Sequence, residues 1–352
     1  MKKKPILIIV ITILIAFIIG ILIWHFSNKN ETNTRKFKVK KTELSQIKKK
    51  INIKIHRYEI ALFSLDLNHL SSGIEKLSHQ YPETLIEKGI WNNPNMISQL
   101  KNYLQDPVIQ DIYKDVTTQY PKLDDIEKEL NNAFSYYLTY YPNETIPEIY
   151  SLVPGIDMMM PSVYAYQNDM FINLDMYLGV NNKFYQLYGM PKYISERCEK
   201  KYIAPDCFKK AMVYKHLPEK TLITLLDNMI YEGKKLYFTE LMFPNISEAN
   251  IIGYSDEKYN WASQNHGKVW NYVIEKNLLF SKDAETVRKY VEEAPFTKPF
   301  SNSSPGRMGV FIGWKIIQGY MENNPNVSLQ DLMQDTDSQK ILNKSKYKPL
   351  NR

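Results

Sequence analysis

From Ile6 to Trp24 the chain runs nineteen residues without a charge, and Thr12 is the one polar residue in the run. At ~1.5 Å rise per residue such a helix spans roughly 29 Å, against a bilayer core of about 30 Å. Beyond it the pattern changes to that of a folded body. Ile60, Phe63, Leu67 and Leu70 recur at helical spacing, which predicts a helix over Tyr58–Leu70. Ile126, Leu130, Ala133, Phe134, Tyr137 and Leu138 share one face of a second helix over Asp124–Tyr141, stopped by Pro142 and Pro147. Alternation in Met170–Leu178 predicts a strand, with Val163–Tyr166 as its candidate partner.

Helical spacing then returns. Leu222, Leu225, Leu226, Met229 and Ile230 mark a face that continues through Leu236 and Tyr237, with Pro218 placed in the first turn. A helix over Tyr259–Leu279 carries Trp261, Trp270, Tyr272 and Val273. Another opens at Ser304-Pro305 and runs through Trp314 to Met321, and Ser328 with Asp331 forms a capping-box start for the last. The expected fold class is mostly α with a small β-sheet (α+β). The expected divisions are a signal-anchor at 1–27, a basic tether at 28–57 and a single globular domain at 58–352.

Charge sharpens this picture. The net +7 divides into +12 for residues 1–57 and −5 for residues 58–352. The body is mildly acidic, so no nucleic-acid partner is expected. Lys2, Lys3 and Lys4 ahead of the apolar run favour a cytoplasmic N-terminus, with Arg35–Arg57 as a counterweight beyond it. No small-residue cleavage site follows the run, and no cysteine precedes Cys198 to accept a lipid. The expected location is the cell inner membrane, single-pass, with the main domain periplasmic. Cys198 and Cys207 fit either a local disulfide or two free core thiols.

Little catalytic chemistry is legible. The six histidines include no H-x-H or H-E-x-x-H pair, and no P-loop, G-x-S-x-G or G-x-G-x-x-G occurs. No metal ligand set, cofactor or catalytic residue is therefore assigned. Asp124/Asp125 and Glu292/Glu293 are adjacent carboxylates that point apart on a helix, and they are read as solvated faces. Two residues stand out. Glu232 lies beside Gly233 in an apolar helix, where a buried carboxylate needs a partner. Arg307 is expected in the first turn of a helix, against the dipole, so a carboxylate or bound anion should offset it. Glu232 and Arg307 are the candidate buried or anion-binding residues, with mutual pairing as one arrangement.

The stretches INLDMYLG (172–179), MPKYISER (190–197), MIYEGKKLYF (229–238), IGYSDEKYNW (252–261), VWNYVIEKNLLFS (269–281), APFT (294–297), SPGRMGVFIGWKIIQGY (304–320) and SKYKP (345–349) resemble, in order, the GldB-type gliding-motility lipoproteins of Bacteroidetes. The resemblance implies an envelope protein of the gliding machinery and its associated secretion apparatus, with other envelope proteins as partners. The family is typically lipidated at a cysteine; here an uncleaved anchor takes that place. A fainter likeness is to predicted zinc-dependent proteases of zincin-like fold. The only pentad at the matching position is Met212–His216, which offers one imidazole and no general-base Glu. That likeness implies a zincin-like scaffold without its metal. The expected function is a membrane-anchored extracytoplasmic component of the gliding or secretion apparatus that binds rather than catalyses. The alternative is a metal-dependent hydrolase of the cell envelope.

Overall fold

Two short parallel strands frame the first half of the molecule. A computed structural model describes residues 47–48, 51–298 and 300–349, and these lie in one compact unit. The apolar run 6–24, its anchor role and most of the tether lie outside the described residues. Among the described residues no helix is long and apolar enough to cross a membrane.

Strand β1 (Ile55–Arg57) leads into α1 (Tyr58–Phe63), α2 (Leu70–Ser78), α3 (Pro94–Gln105), α4 (Pro107–Gln119) and α5 (Asp124–Tyr140). The chain returns as β2 (Glu148–Leu152), then forms the hairpin β3 (Val163–Tyr166) and β4 (Asp169–Asn173). The sheet order is β1-β2-β4-β3, parallel except for the β3–β4 pair. Val163 and Tyr166 oppose Ile172 and Asp169, so the two segments pair as their alternation suggests. The strand ends at Asn173, however, and Leu174–Tyr177 turns into a 3-10 helix. The predicted helix over Tyr58–Leu70 likewise stops at Phe63, and a new one starts at Leu70.

One face of the sheet (Ile55, Ile149, Met170, Ile172 and Val163) packs into the main core. The other carries His56, Tyr150, Phe171 and Tyr164, stacked in strand order with ring centroids 5.2, 5.9 and 5.0 Å apart. β1 lies inside the segment assigned to the tether. Ile53 and Ile55 are buried core residues, so the folded body begins before Tyr58. Ile51, Ile53 and Ile55 alternate with Asn52, Lys54 and His56, a strand signal that the expected tether boundary passes over.

Short α6 (Lys183–Leu187) and α7 (Lys192–Ser195) lead to an irregular rod. It consists of α8 (Ile203–Asp206), a π turn (Cys207–Ala211) and a 3-10 turn (Met212–Lys215). The long α9 (Leu225–Met242) follows, then α10 (Glu248–Ile252), α11 (Asp256–Glu275), α12 (Ala284–Val291), α13 (Met308–Asn323), α14 (Leu329–Gln334) and α15 (Ser338–Ser345). Pro218 lies outside α9. That helix starts instead from a capping box between Thr224 and Asp227. The Ser328–Asp331 box opens α14 as expected.

α9 and α13 form the centre of the helical part and cross on glycine. A Cβ on Gly233 would lie 2.5 Å from the Gly313 carbonyl, and one on Gly313 would overlap the Met229 carbonyl. The absence of side chains there lets the two backbones touch. Cys198 and Cys207 are both buried free thiols, not a disulfide.

Candidate functional site

The rod at residues 203–215 places a charged cluster between the sheet and the helical part. Asp206, Lys209 and Lys210 sit at i, i+3 and i+4 across the passage into the π turn. Asp206 Oδ1 is 3.1 Å from Lys209 Nζ, and Oδ2 is 2.7 Å from Lys210 Nζ. The Tyr177 hydroxyl donates to Asp206 Oδ2 at 2.8 Å, and Lys210 also donates to Ser162 Oγ at 2.8 Å. Burial opposes the Asp206 charge, but Lys210 and Lys209 outweigh it and hold the carboxyl well below its usual range. Burial pulls the Lys209 amine down to about 8; Asp206 opposes this, while Lys210, Arg307 and Arg197 add to it.

The second layer comes from three loops. Arg307 is the residue before α13, not a member of its first turn. Its backbone is left-handed, with φ 61°. The loop that forces this is built around Thr297, which donates from both its amide and its hydroxyl to the Pro305 carbonyl. The same hydroxyl oxygen accepts the Met308 amide at 3.1 Å. The Ala294 carbonyl lies so close to Gly306 that a Cβ there would overlap it. With its backbone held this way, Arg307 donates from Nη2 to the Ile252 carbonyl at 2.7 Å, and its Nε lies 3.2 Å from Glu293 Oε2. Arg197 donates from Nη1 to Glu293 Oε1 at 2.6 Å. Lys209 donates to the Ile251 carbonyl at 3.2 Å. The carbonyl end of α10 thus receives two cations, the sign its dipole favours. Gly253 follows in the left-handed conformation, and Arg197 packs against it.

Arg307 is therefore buried and offset by a carboxylate, as its position demands, but that carboxylate is Glu293. The expectation that Glu293 belongs to a solvated face is corrected here. It bridges two arginines, which hold it below the usual carboxylate range against the effect of burial. Glu232 is only partly buried and pairs with Lys235 one turn on, at 2.9 Å. Its charge reaches Arg307 through space, but the two side chains make no hydrogen bond or ion pair. Sequence reasoning misses Asp206, Lys209 and Lys210, although their i, i+3 and i+4 spacing is a readable ion-pair signal.

The pentad Met212–His216 does not make a metal helix. Met212 is in the core, and His216 stacks on Tyr141 at 3.8 Å with its Nε2 3.0 Å from the Tyr137 hydroxyl. Burial pulls this imidazole down to about 4. Among the described residues no group of three or more His, Cys, Asp or Glu is placed to hold a metal ion. A separate buried acid, Asp175, accepts the Gly155 amide at 2.8 Å, and burial raises it to about 7.

Arg197, Ile252, Tyr254, Ala294–Thr297 and Ser304–Arg307 all belong to the stretches that carry the family resemblance, and they meet at this cluster. A family model described as gliding motility protein GldB matches residues 38–349. No curated protein and no solved structure matches the chain.

Proposed function

The chain belongs to the gliding motility protein GldB family, and from that membership, which ties it to gliding motility, we propose that it is a membrane-anchored envelope component acting by binding rather than catalysis. Its apolar run 6–24 would hold it in the inner membrane, with the body on the periplasmic side and other proteins of the gliding or secretion apparatus as partners.

One observation carries the binding reading. The acidic and basic groups gathered by the family stretches are engaged with one another. Asp206 takes three donors, Glu293 is held by two arginines, and Glu232 is held by Lys235. A general base needs to reach a substrate proton, and a nucleophile needs a base beside it. Glu293 and Asp206 instead tie separate segments together, and Glu232 is paired within its own helix.

The test uses the full-length chain in its own cells. Glu232→Gln keeps the shape and removes the acid–base group, and gliding should persist at unchanged protein level. Loss of gliding with normal amounts of folded protein would favour the envelope-hydrolase alternative.

A further inference from the structure

We propose that Arg197, Lys209, Lys210 and Arg307 form a binding site for a phosphoryl dianion, in which the Glu293 carboxylate occupies the phosphoryl position when no ligand is bound. This deepens the binding reading above and rests on it.

Charge calls for a dianion. Four cations face two carboxylates, Asp206 and Glu293, while Glu232 is neutralised by Lys235. Two positive charges remain in excess. Lys209 and Arg307 are each less than a tenth exposed, so water can do little to offset them. The carbonyls of Ile251 and Ile252 accept hydrogen bonds but bring no charge. Burial is the main cause of the depressed Lys209 amine, and the neighbouring Lys210, Arg307 and Arg197 add to it. A phosphoryl group carries about −1.5 to −2 near neutrality and matches the excess. A single carboxylate would balance half of it, and a neutral saccharide none.

Geometry points the same way. Glu293 spans two guanidinium groups with its two oxygens, which is how arginines receive phosphoryl oxygens. The Arg307 Nε is buried and makes no properly directed hydrogen bond, although Glu293 is near. The donor is therefore in place and poorly used. The cluster is not sealed: 39% of the Glu293 side chain, 21% of Arg197 and 40% of Lys210 reach solvent. An incoming phosphoryl group can displace Glu293 without opening the core.

Free phosphate and a lipid phosphomonoester share this chemistry. The experiment uses the full chain in neutral detergent micelles and follows thermal unfolding. Inorganic phosphate is titrated against chloride at matched ionic strength. In a second arm the micelles are doped with phosphatidic acid or with phosphatidylcholine. Wild type should show a saturable rise in melting temperature with phosphate. Arg197→Gln should weaken binding about tenfold, the loss of one charge-assisted contact. Glu293→Gln removes the internal competitor and should tighten binding, so the two variants move in opposite directions. Lys344→Gln, far along the chain and outside the cluster, should leave the affinity unchanged. A rise with phosphatidic acid as well assigns the site to a lipid headgroup; a rise with phosphate alone assigns it to the free ion. No saturable rise in wild type, or equal affinity in all variants, overturns the site. Either failure leaves the Glu232→Gln gliding result standing, and loss of gliding in that variant with phosphate binding intact would strike the broader reading alone.

Discussion

At Arg307 a non-glycine residue holds a left-handed backbone, which costs about 1–2 kcal/mol. The side chain offsets this through Glu293 and the Ile252 carbonyl. Arg307→Ala should keep the backbone strain and lose both contacts, lowering stability by about 2–4 kcal/mol. Arg307→Gly loses the same contacts but relieves the strain, so it should be about 1 kcal/mol less damaging. Glu232→Ala should cost under about 1 kcal/mol, because its one-turn pair with Lys235 is partly solvated. With no shared partner, the Arg307 and Glu232 effects should add to within about 0.5 kcal/mol in chemical denaturation. Position along a helix is enough to demand a partner for Arg307. It cannot say which carboxylate, because Glu293 is brought in by a loop.

Asp175 supplies a pH test. Its folded carboxyl titrates near 7, above its unfolded value of 3.8, because it is buried. Between those values the folded state holds a proton that the unfolded state releases, so this group's contribution to stability is full below about pH 4 and is lost as pH rises toward 7. Asp175→Asn keeps an acceptor for the Gly155 amide and removes the buried charge. It should raise the melting temperature at pH 8 relative to wild type and give a much smaller gain at pH 4. An equal gain at both values would show that the carboxyl is not destabilised by burial.

Among the elements, the contact of α9 with α13 depends on two glycines whose missing side chains are filled by the opposite backbone. Gly313→Ala drives a methyl into the Met229 carbonyl and should cost about 3 kcal/mol or more. Gly73→Ala, inside α2, would meet only the flexible end of Leu65 at 3.0 Å. It should be neutral or stabilising by up to about 1 kcal/mol, from better helix propensity. Thermal melts of the two variants measure the contrast. Periodicity locates α5, α9, α11 and α13 because each buries a face against the core. It misses β2, whose parallel partners are remote in sequence, and it passes over β1 although Ile51, Ile53 and Ile55 alternate into that strand. It also starts α13 early, at Ser304-Pro305, because the Thr297 contacts that hold residues 304–307 out of the helix are tertiary.

For the whole molecule, the body should begin near residue 51. A chain starting at residue 51 keeps Ile53 and β1, whereas one starting at residue 58 loses both. Each of Ile53 and Ile55 contributes about 1.5–3 kcal/mol by burial. The shorter form should melt lower and be cut faster in limited proteolysis. The full chain should remain in the membrane fraction after carbonate and leave it with detergent, and a mature form starting near residue 25 would refute the anchor.

Local order along the chain is enough to determine an apolar run of membrane length, the helices with a continuous buried face, the Ser328 cap and the β3–β4 hairpin. The family, too, is carried by the ordered stretches of sequence alone. Tertiary structure alone decided the parallel strands, the free state of the two cysteines, the left-handed backbone at Arg307 and its pairing with Glu293. Those features depend on groups far apart in sequence meeting in a low-dielectric interior. There the cost of an unpaired charge selects the partner, and no local pattern records which partner that will be.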